Sequence, residues 1–306
     1  EYLLIIFAGL LATSLYNFFS CLLRALGNST VPLVFLAVSA ILNIAWDLLF
    51  VAVFHWGIAG AAYATIFAQY VSGIGILLYV LFRCRSLFPE RKDLCFDGGI
   101  LKEIAGLSSL TCLQQSVMNF GILMVQGLVN SFGATTMAAF AAAVKIDTFA
   151  YLPVQDFGNA YSTFIAQNYG AGNKERIRRG TKESFAISTA FSLVISALVF
   201  AFAAPLMQIF VSSAETAVIA SGVRYLRIEG AFYFGIGCLF LLYGYYRAIK
   251  RAEMSVVLTV ISLGIRVLLA YVLSATFLGE TGIWMAIPIG WILADLTGLL
   301  YMRKTW

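Results

Sequence analysis

The Lys and Arg residues of this chain sort themselves around a series of apolar stretches, and that sorting constrains the fold more than any other feature. Nine hydrophobic stretches can be drawn at roughly 1–23, 31–54, 58–82, 106–131, 134–165, 184–210, 228–246, 254–277 and 282–302. Every second gap between them is basic. These gaps hold Arg24, then Arg83, Arg85, Arg91, Lys92 and Lys102, then Lys174, Arg176, Arg178, Arg179 and Lys182. Arg247, Lys250 and Arg251 follow, and Arg303 and Lys304 close the chain, so 16 of the 20 basic residues lie in one set of gaps. The other set holds Arg224 and Arg227, while Lys145 and Arg266 fall inside apolar stretches. A polytopic membrane protein acquires this alternation because Lys and Arg are retained on the cytoplasmic side. The expectation is an all-α protein that crosses the cytoplasmic membrane about nine times, with its basic loops and C-terminus in the cytoplasm.

Composition agrees. The chain is 61% hydrophobic and 11% charged, with a mean hydropathy of +0.90, whereas soluble domains are about a quarter charged. Each stretch approaches the roughly 20 residues that span a hydrocarbon core. The net charge of +5 is distributed over five separate loops, so topology accounts for it and nucleic acid is not an expected partner. The first stretch has no basic leader or small-residue cleavage site of a signal peptide. Cys21, Cys84, Cys95, Cys112 and Cys238 form no C-x-x-C pair and are expected as free thiols. The single histidine, His55, is expected at the membrane interface beside Trp56; no metal site and no cofactor are expected.

The longest polar interval, RCRSLFPERKDLCFDGGILKE (83–103), reads as a connector between two membrane units. The division expected is 1–83 with three spans, a linker at 84–105 on the cytoplasmic side, and 106–306 with six spans. The units share landmarks. Tyr2-Leu3-Leu4-Ile5 lies as far before Arg24-Ala25 as Tyr225-Leu226-Arg227-Ile228 lies before Arg247-Ala248, and Gly57-Ile58 and Gly282-Ile283 each open a unit's last span. Both copies enter from the same side, as in transporters built from parallel repeats with substrate handled between the halves. A six-span repeat predicts that three spans precede Glu1 in a protein of about twelve.

LRALGNSTVPLVFLAVSAILNIAWDLLFV (23–51) followed by GIAGAAYATIFAQ (57–69) resembles spans four to six of the multidrug and toxic compound extrusion (MATE) transporters. LQQSVMNFGILMVQGLVNSFG (113–133) and AAFAAAVKIDTFAYLPVQDFGNAYSTFIAQNYGAGN (138–173) resemble their seventh and eighth spans, and YLRIEGAFYFGIGCLFLLYGYYRAI (225–249) their tenth. The resemblance runs the length of the chain and implies spans 4–12 of a two-lobed helical bundle. It also implies antiport, in which Na⁺ or H⁺ enters as an amphipathic or cationic compound leaves, by a monomeric protein. The chain departs from part of the family: a seventh-span glutamate falls at about Ser116, beside Gln115, and a tenth-span acid near Gly237. A first-span aspartate would lie before Glu1.

Ionisable groups within spans need a partner, a wet cavity or a purpose, since each costs about 2.5–3.5 kcal/mol at a helix centre. Those present are Asp47, Lys145, Asp147, Asp156, Glu229, Arg266 and Asp295. Ser108, Gln115, Asn119, Gln126 and Asn130 form an amide-rich stripe at helical spacing, which either lines a cavity or bonds a neighbouring helix. Gln115 and Asn119 are the better cavity candidates by depth. The eighth span carries Lys145, Asp147 and Asp156 around Pro153, a proline expected to bend or loosen the helix and free a carbonyl near the carboxylates. These three residues, with Gln115 and Asn119, are the expected cation-coupling set. Lys145 is alternatively a structural cation paired to a neighbouring helix. Arg266 and Asp295 are placed for a neutralising pair across the last two spans. Glu229 is expected near the outer end of its span, as an interfacial residue or a gate. Asp47, four residues after Asn43, is a candidate for a site in the first unit.

Secondary active export follows as the expected function. No G-x-x-x-x-G-K-[ST] phosphate loop supports ATP drive, and no nucleophile–base or H-E-x-x-H constellation supports an enzyme. The alternative is a lipid-linked oligosaccharide flippase of a related group, which would be expected to show a more basic central cavity than Lys145 and Arg266 provide.

Overall fold

The computed structural model describes residues 2–85 and 96–305, and over them the chain is helical with no strand. The order is α1 (Tyr2–Ala8), α2 (Leu10–Ala25), α3 (Thr30–Asp47), a π-helical turn (Leu48–Val53) and α4 (Gly57–Arg83). There follow α5 (Gly98–Asn130), α6 (Ala134–Gly170), α7 (Lys174–Phe210), α8 (Thr216–Gly230), α9 (Tyr233–Ala248), α10 (Ala252–Ser274) and α11 (Glu280–Thr305). Eight spans among the described residues are long and apolar enough to cross a membrane, and the bent pair α8–α9 makes a ninth. Pro89, Arg91, Lys92 and Cys95 of the connector lie outside the described residues. Its distal part is not loop, because α5 begins at Gly98 and already contains Lys102 and Glu103.

The chain divides into two compact units, Glu1–Asp97 and Gly98–Trp306. In the first, α2, α3 and α4 pack around Phe19, Leu23, Ile76 and Val80. Tyr16 donates to the Pro32 carbonyl at 2.9 Å and Ser39 to that of Ala68 at 2.9 Å. Hydroxyls that return to backbone carbonyls are satisfied without water, as an apolar surrounding demands.

The second unit has the larger core. Trp284 of α11 is fully buried, stacks on Phe140 of α6 at 5.5 Å, and meets Tyr225 of α8 edge-on at 4.9 Å. At the end away from the basic loops, Glu280 accepts from Thr136 at 2.8 Å, Ser221 at 3.1 Å and Arg224 at 3.4 Å. One carboxylate therefore ties α6, α8 and α11 together. Farther along, α6 and α9 run parallel and cross so closely that a Cβ on Gly244 would lie 2.7 Å from the Gly158 carbonyl oxygen. Small residues permit such an approach between membrane helices, and Ser162 fastens it by donating to the Gly244 carbonyl at 2.9 Å.

Pro153 does not break the eighth span. α6 is a continuous helix across Pro153, because a membrane helix absorbs one lost backbone bond when its neighbours hold it. The break comes instead in the tenth span, where α8 and α9 meet at 51° across Ala231 and Phe232.

Candidate functional site

The packing of α6 decides which of its charged residues can form a site. Ala143, Asp147, Ala150 and Val154 repeat at helical spacing and are all buried. Lys145, Phe149, Leu152 and Asp156 repeat in the same way on the opposite face and are all exposed. Asp147 and Asp156 therefore do not share a site. Lys145 lies over the Phe210 ring at 5.8 Å, a cation–π contact, and pairs with no described carboxylate.

Asp147, only 3% exposed, is the centre of a buried polar cluster. Tyr233, the first residue of α9, donates its hydroxyl to Asp147 Oδ1 in a short hydrogen bond. The carboxylate thus sits by the first turn of a half-helix, the positive end of its dipole. The Tyr225 hydroxyl lies beside both Asp147 and Glu229, and Arg266 of α10 is the positive charge acting on both carboxyls. Asp147 Oδ2, Glu229 Oε2 and Arg266 Nε are buried without a hydrogen-bond partner. Trp284 packs the far side of the Tyr225 ring and fixes its position.

Two expectations are corrected here. Glu229 is not near the end of its span: it occupies the last turn of α8, beside the break and 6% exposed. Arg266 does not neutralise Asp295. The guanidinium acts on Asp147 and Glu229, while Asp295, 8% exposed, pairs with no described cation and its Oδ1 has no hydrogen-bond partner. The register of α10 on α11 separates them: Arg266 lies level with Gly290, where an added Cβ would come 3.3 Å from the Arg266 Cβ, and Asp295 is more than a helical turn farther along α11.

The amide stripe lies on an exposed face of α5. Ser108, Gln115, Asn119 and Asn130 are exposed, and Gln126 donates to Asn130 at 3.1 Å along the same helix. Among the described residues, no amide of this stripe hydrogen-bonds to another helix. Gln114, which periodicity left out, is the buried amide of α5 at 3% exposure.

In the first unit, Asn43 donates to Thr65 across α3 and α4 at 3.5 Å. One turn on, Asp47 closes α3 with Oδ1 buried and without a hydrogen-bond partner. The π-helical turn begins at the next residue; such turns cluster at functional sites.

With this geometry in hand, comparison with known proteins is decisive. The family described as MatE matches residues 110–272, the part of the chain that holds Asp147, Glu229 and Arg266. A probable multidrug resistance protein of Bacillus subtilis, YpnP, is 33% identical over 305 residues, covering 99% of this chain and 67% of the relative. This chain belongs to the MATE family. Its other relatives include a probable multidrug resistance protein NorM of Thermotoga maritima, 28% identical over 98% of this chain and 66% of that protein. An outward-facing multidrug resistance MATE transporter structure superposes with a TM-score of 0.94 at 24% identity, covering 100% of this chain and 68% of the other, a likeness of fold. The chain spans about two thirds of the length of the relatives it matches.

At Gly237 an added Cβ would lie 2.9 Å from both Ser188 Oγ and Ser192 Oγ and 3.2 Å from Val154 Cγ1. A side chain at Gly237 would have to displace both hydroxyls. Among the described residues, the buried acids of this unit are Asp147, Glu229 and Asp295.

Proposed function

We propose that the protein is a cation-coupled exporter of amphipathic or cationic compounds, with the coupling charge carried in the second unit by Asp147, Glu229 and Arg266. One observation carries this reading: the cluster counts two buried carboxyls against one guanidinium. Fully ionised it holds one negative charge too many, and an uncompensated buried charge costs several kcal/mol. One Na⁺ or one proton restores neutrality. A site that is balanced only with a monovalent cation responds to the ion, and the bend between α8 and α9 beside it is where two helix arrangements exchange. Tyr225 and Tyr233 hold the carboxyls in place for either ion. The exposed amides Gln115 and Asn119 offer neutral donors and acceptors to a passing substrate. Asp47 with Asn43 and Thr65 is a second candidate cation site, carried by its buried, partnerless oxygen.

The substrate class rests on relatives named for multidrug resistance at 33%, 28% and 26% identity. A relative named FAD transporter is 25% identical over 87% of this chain. The deciding experiment loads proteoliposomes of the complete protein with ethidium and imposes a Na⁺ or a proton gradient separately. Efflux driven by one gradient and abolished by its ionophore is the expected result. Efflux indifferent to both gradients excludes antiport, and transport of FAD without ethidium excludes the drug class.

The orientation proposed puts the basic loops and the C-terminus in the cytoplasm. Cys84, partly exposed and free at the end of α4, is then expected to react with an impermeant maleimide in inside-out vesicles and to stay unlabelled in intact cells. Labelling in intact cells overturns the topology.

A further inference from the structure

We propose that the basic end of the second unit binds the phosphate headgroup of an anionic phospholipid. A cavity of about 960 Å³ opens there between the ends of α6, α9 and α11 and the starts of α7 and α10. Lys174, Arg178, Arg251 and Lys304 converge on it from three separate segments, with Glu175 the acid in the lining. Positive-inside sorting places cations at this end of the bundle, but it does not gather them around one hollow.

Three other cations of this unit find protein partners. Lys250 pairs with Glu103 at 2.5 Å, and Arg179 with Glu183 at 2.8 Å. Arg176 lies over the Phe164 ring at 5.9 Å. None of the four cavity cations is ion-paired to a described carboxylate. Arg251 is held at the wall by donating to the Tyr301 hydroxyl at 2.8 Å, and Lys174 opens α7, whose first-turn amides add to the positive potential. Four like charges around a hollow repel one another unless an anion sits among them.

The neighbouring surface says which anion. A second cavity of about 630 Å³ shares Arg178 and adds Lys182 and Arg303, and its apolar wall is Phe185, Leu299 and Met302. A phosphate in the first hollow and an acyl chain along the second satisfy both surfaces, which free phosphate does not. Basic pockets between membrane helices take anionic headgroups in this way.

The test uses the complete protein in vesicles of phosphatidylglycerol or of phosphatidylcholine. Acetylation of Lys174, Lys304 and Lys102 is followed by mass spectrometry; Lys102 is exposed on α5 and lies outside the cavity lining. Phosphatidylglycerol is expected to slow Lys174 and Lys304 about tenfold and Lys102 far less. Arg178→Gln is expected to remove that protection and Arg179→Gln to keep it. Equal slowing of all three lysines in the wild-type protein overturns the site, and that reading needs no variant to fold. Equal protection by millimolar inorganic phosphate in phosphatidylcholine vesicles overturns the lipid as its occupant.

Discussion

Asp147→Asn in the complete protein is expected to lower ion-driven efflux by roughly 100-fold, towards the top of the usual range of coupling between two ligands, while leaving the fold as stable as the wild type. Asparagine keeps the shape, and its side-chain oxygen still accepts from Tyr233. What it removes is the excess charge: Glu229 then faces Arg266 alone, and the cluster is neutral with no ion bound. A ligand shifts a conformational equilibrium only through its different affinity for the two states, so a neutral cluster has no use for the gradient. Asp156→Asn is the matched control, an exposed carboxylate on the opposite face of the same helix, expected to transport within twofold or so of wild type. The readouts are ethidium efflux under each imposed gradient and thermal stability in detergent. Unchanged ion dependence in Asp147→Asn, with Asp47→Asn abolishing it, would move coupling to the first unit. A variant that fails to fold would contradict the charge count itself.

The membrane architecture was legible in the sequence because one term dominates it. A bilayer imposes apolar length and charge sidedness on every span, and both survive as composition along the chain. The long-range contacts were less legible. Asp147 and Asp156 were grouped because both are acids near a proline, yet the buried stripe Ala143, Asp147, Ala150, Val154 was readable from spacing and separates them. Arg266 and Asp295 were matched because both fall near the middle of antiparallel spans, but Arg266 lies level with Gly290, and the exact register between two helices is set by packing that no local pattern encodes. The break at Ala231 and Phe232 was hidden for a related reason. No proline marks it, and Pro153, the obvious breaker, lies inside a helix that continues past it. Glu229 consequently looked peripheral in the sequence and is central in the fold.

Gly244→Val is expected to destabilise the second unit by about 3 kcal/mol or more, at or beyond the upper end of overpacking costs. The contact it breaks is backbone against side chain: its Cβ would lie 2.7 Å from the Gly158 carbonyl oxygen and 3.2 Å from Ser162 Cβ, and Gly158 is itself 3.0 Å from the Phe240 carbonyl by the same measure. No rotamer change relieves a clash with a carbonyl, so α9 must move away from α6 and give up the bond from Ser162. The consequence reaches the polar cluster. Gly158 follows Asp147 by three turns on α6, and Gly244 follows Tyr233 by three turns on α9, a rise of about 16 Å in each parallel helix. The glycine crossing and the Tyr233–Asp147 bond are therefore two pins in one register, and displacing the first pulls on the second. Gly127→Ala is the control, a position where an added Cβ meets nothing within 4 Å, expected to change stability by no more than about 0.5 kcal/mol. Thermal unfolding in detergent measures the first effect and ion-driven efflux the second. If Gly244→Val lowered stability yet left ion coupling intact, the cluster would be held by α8 and α10 alone, and the common register of the two pins would be structural coincidence.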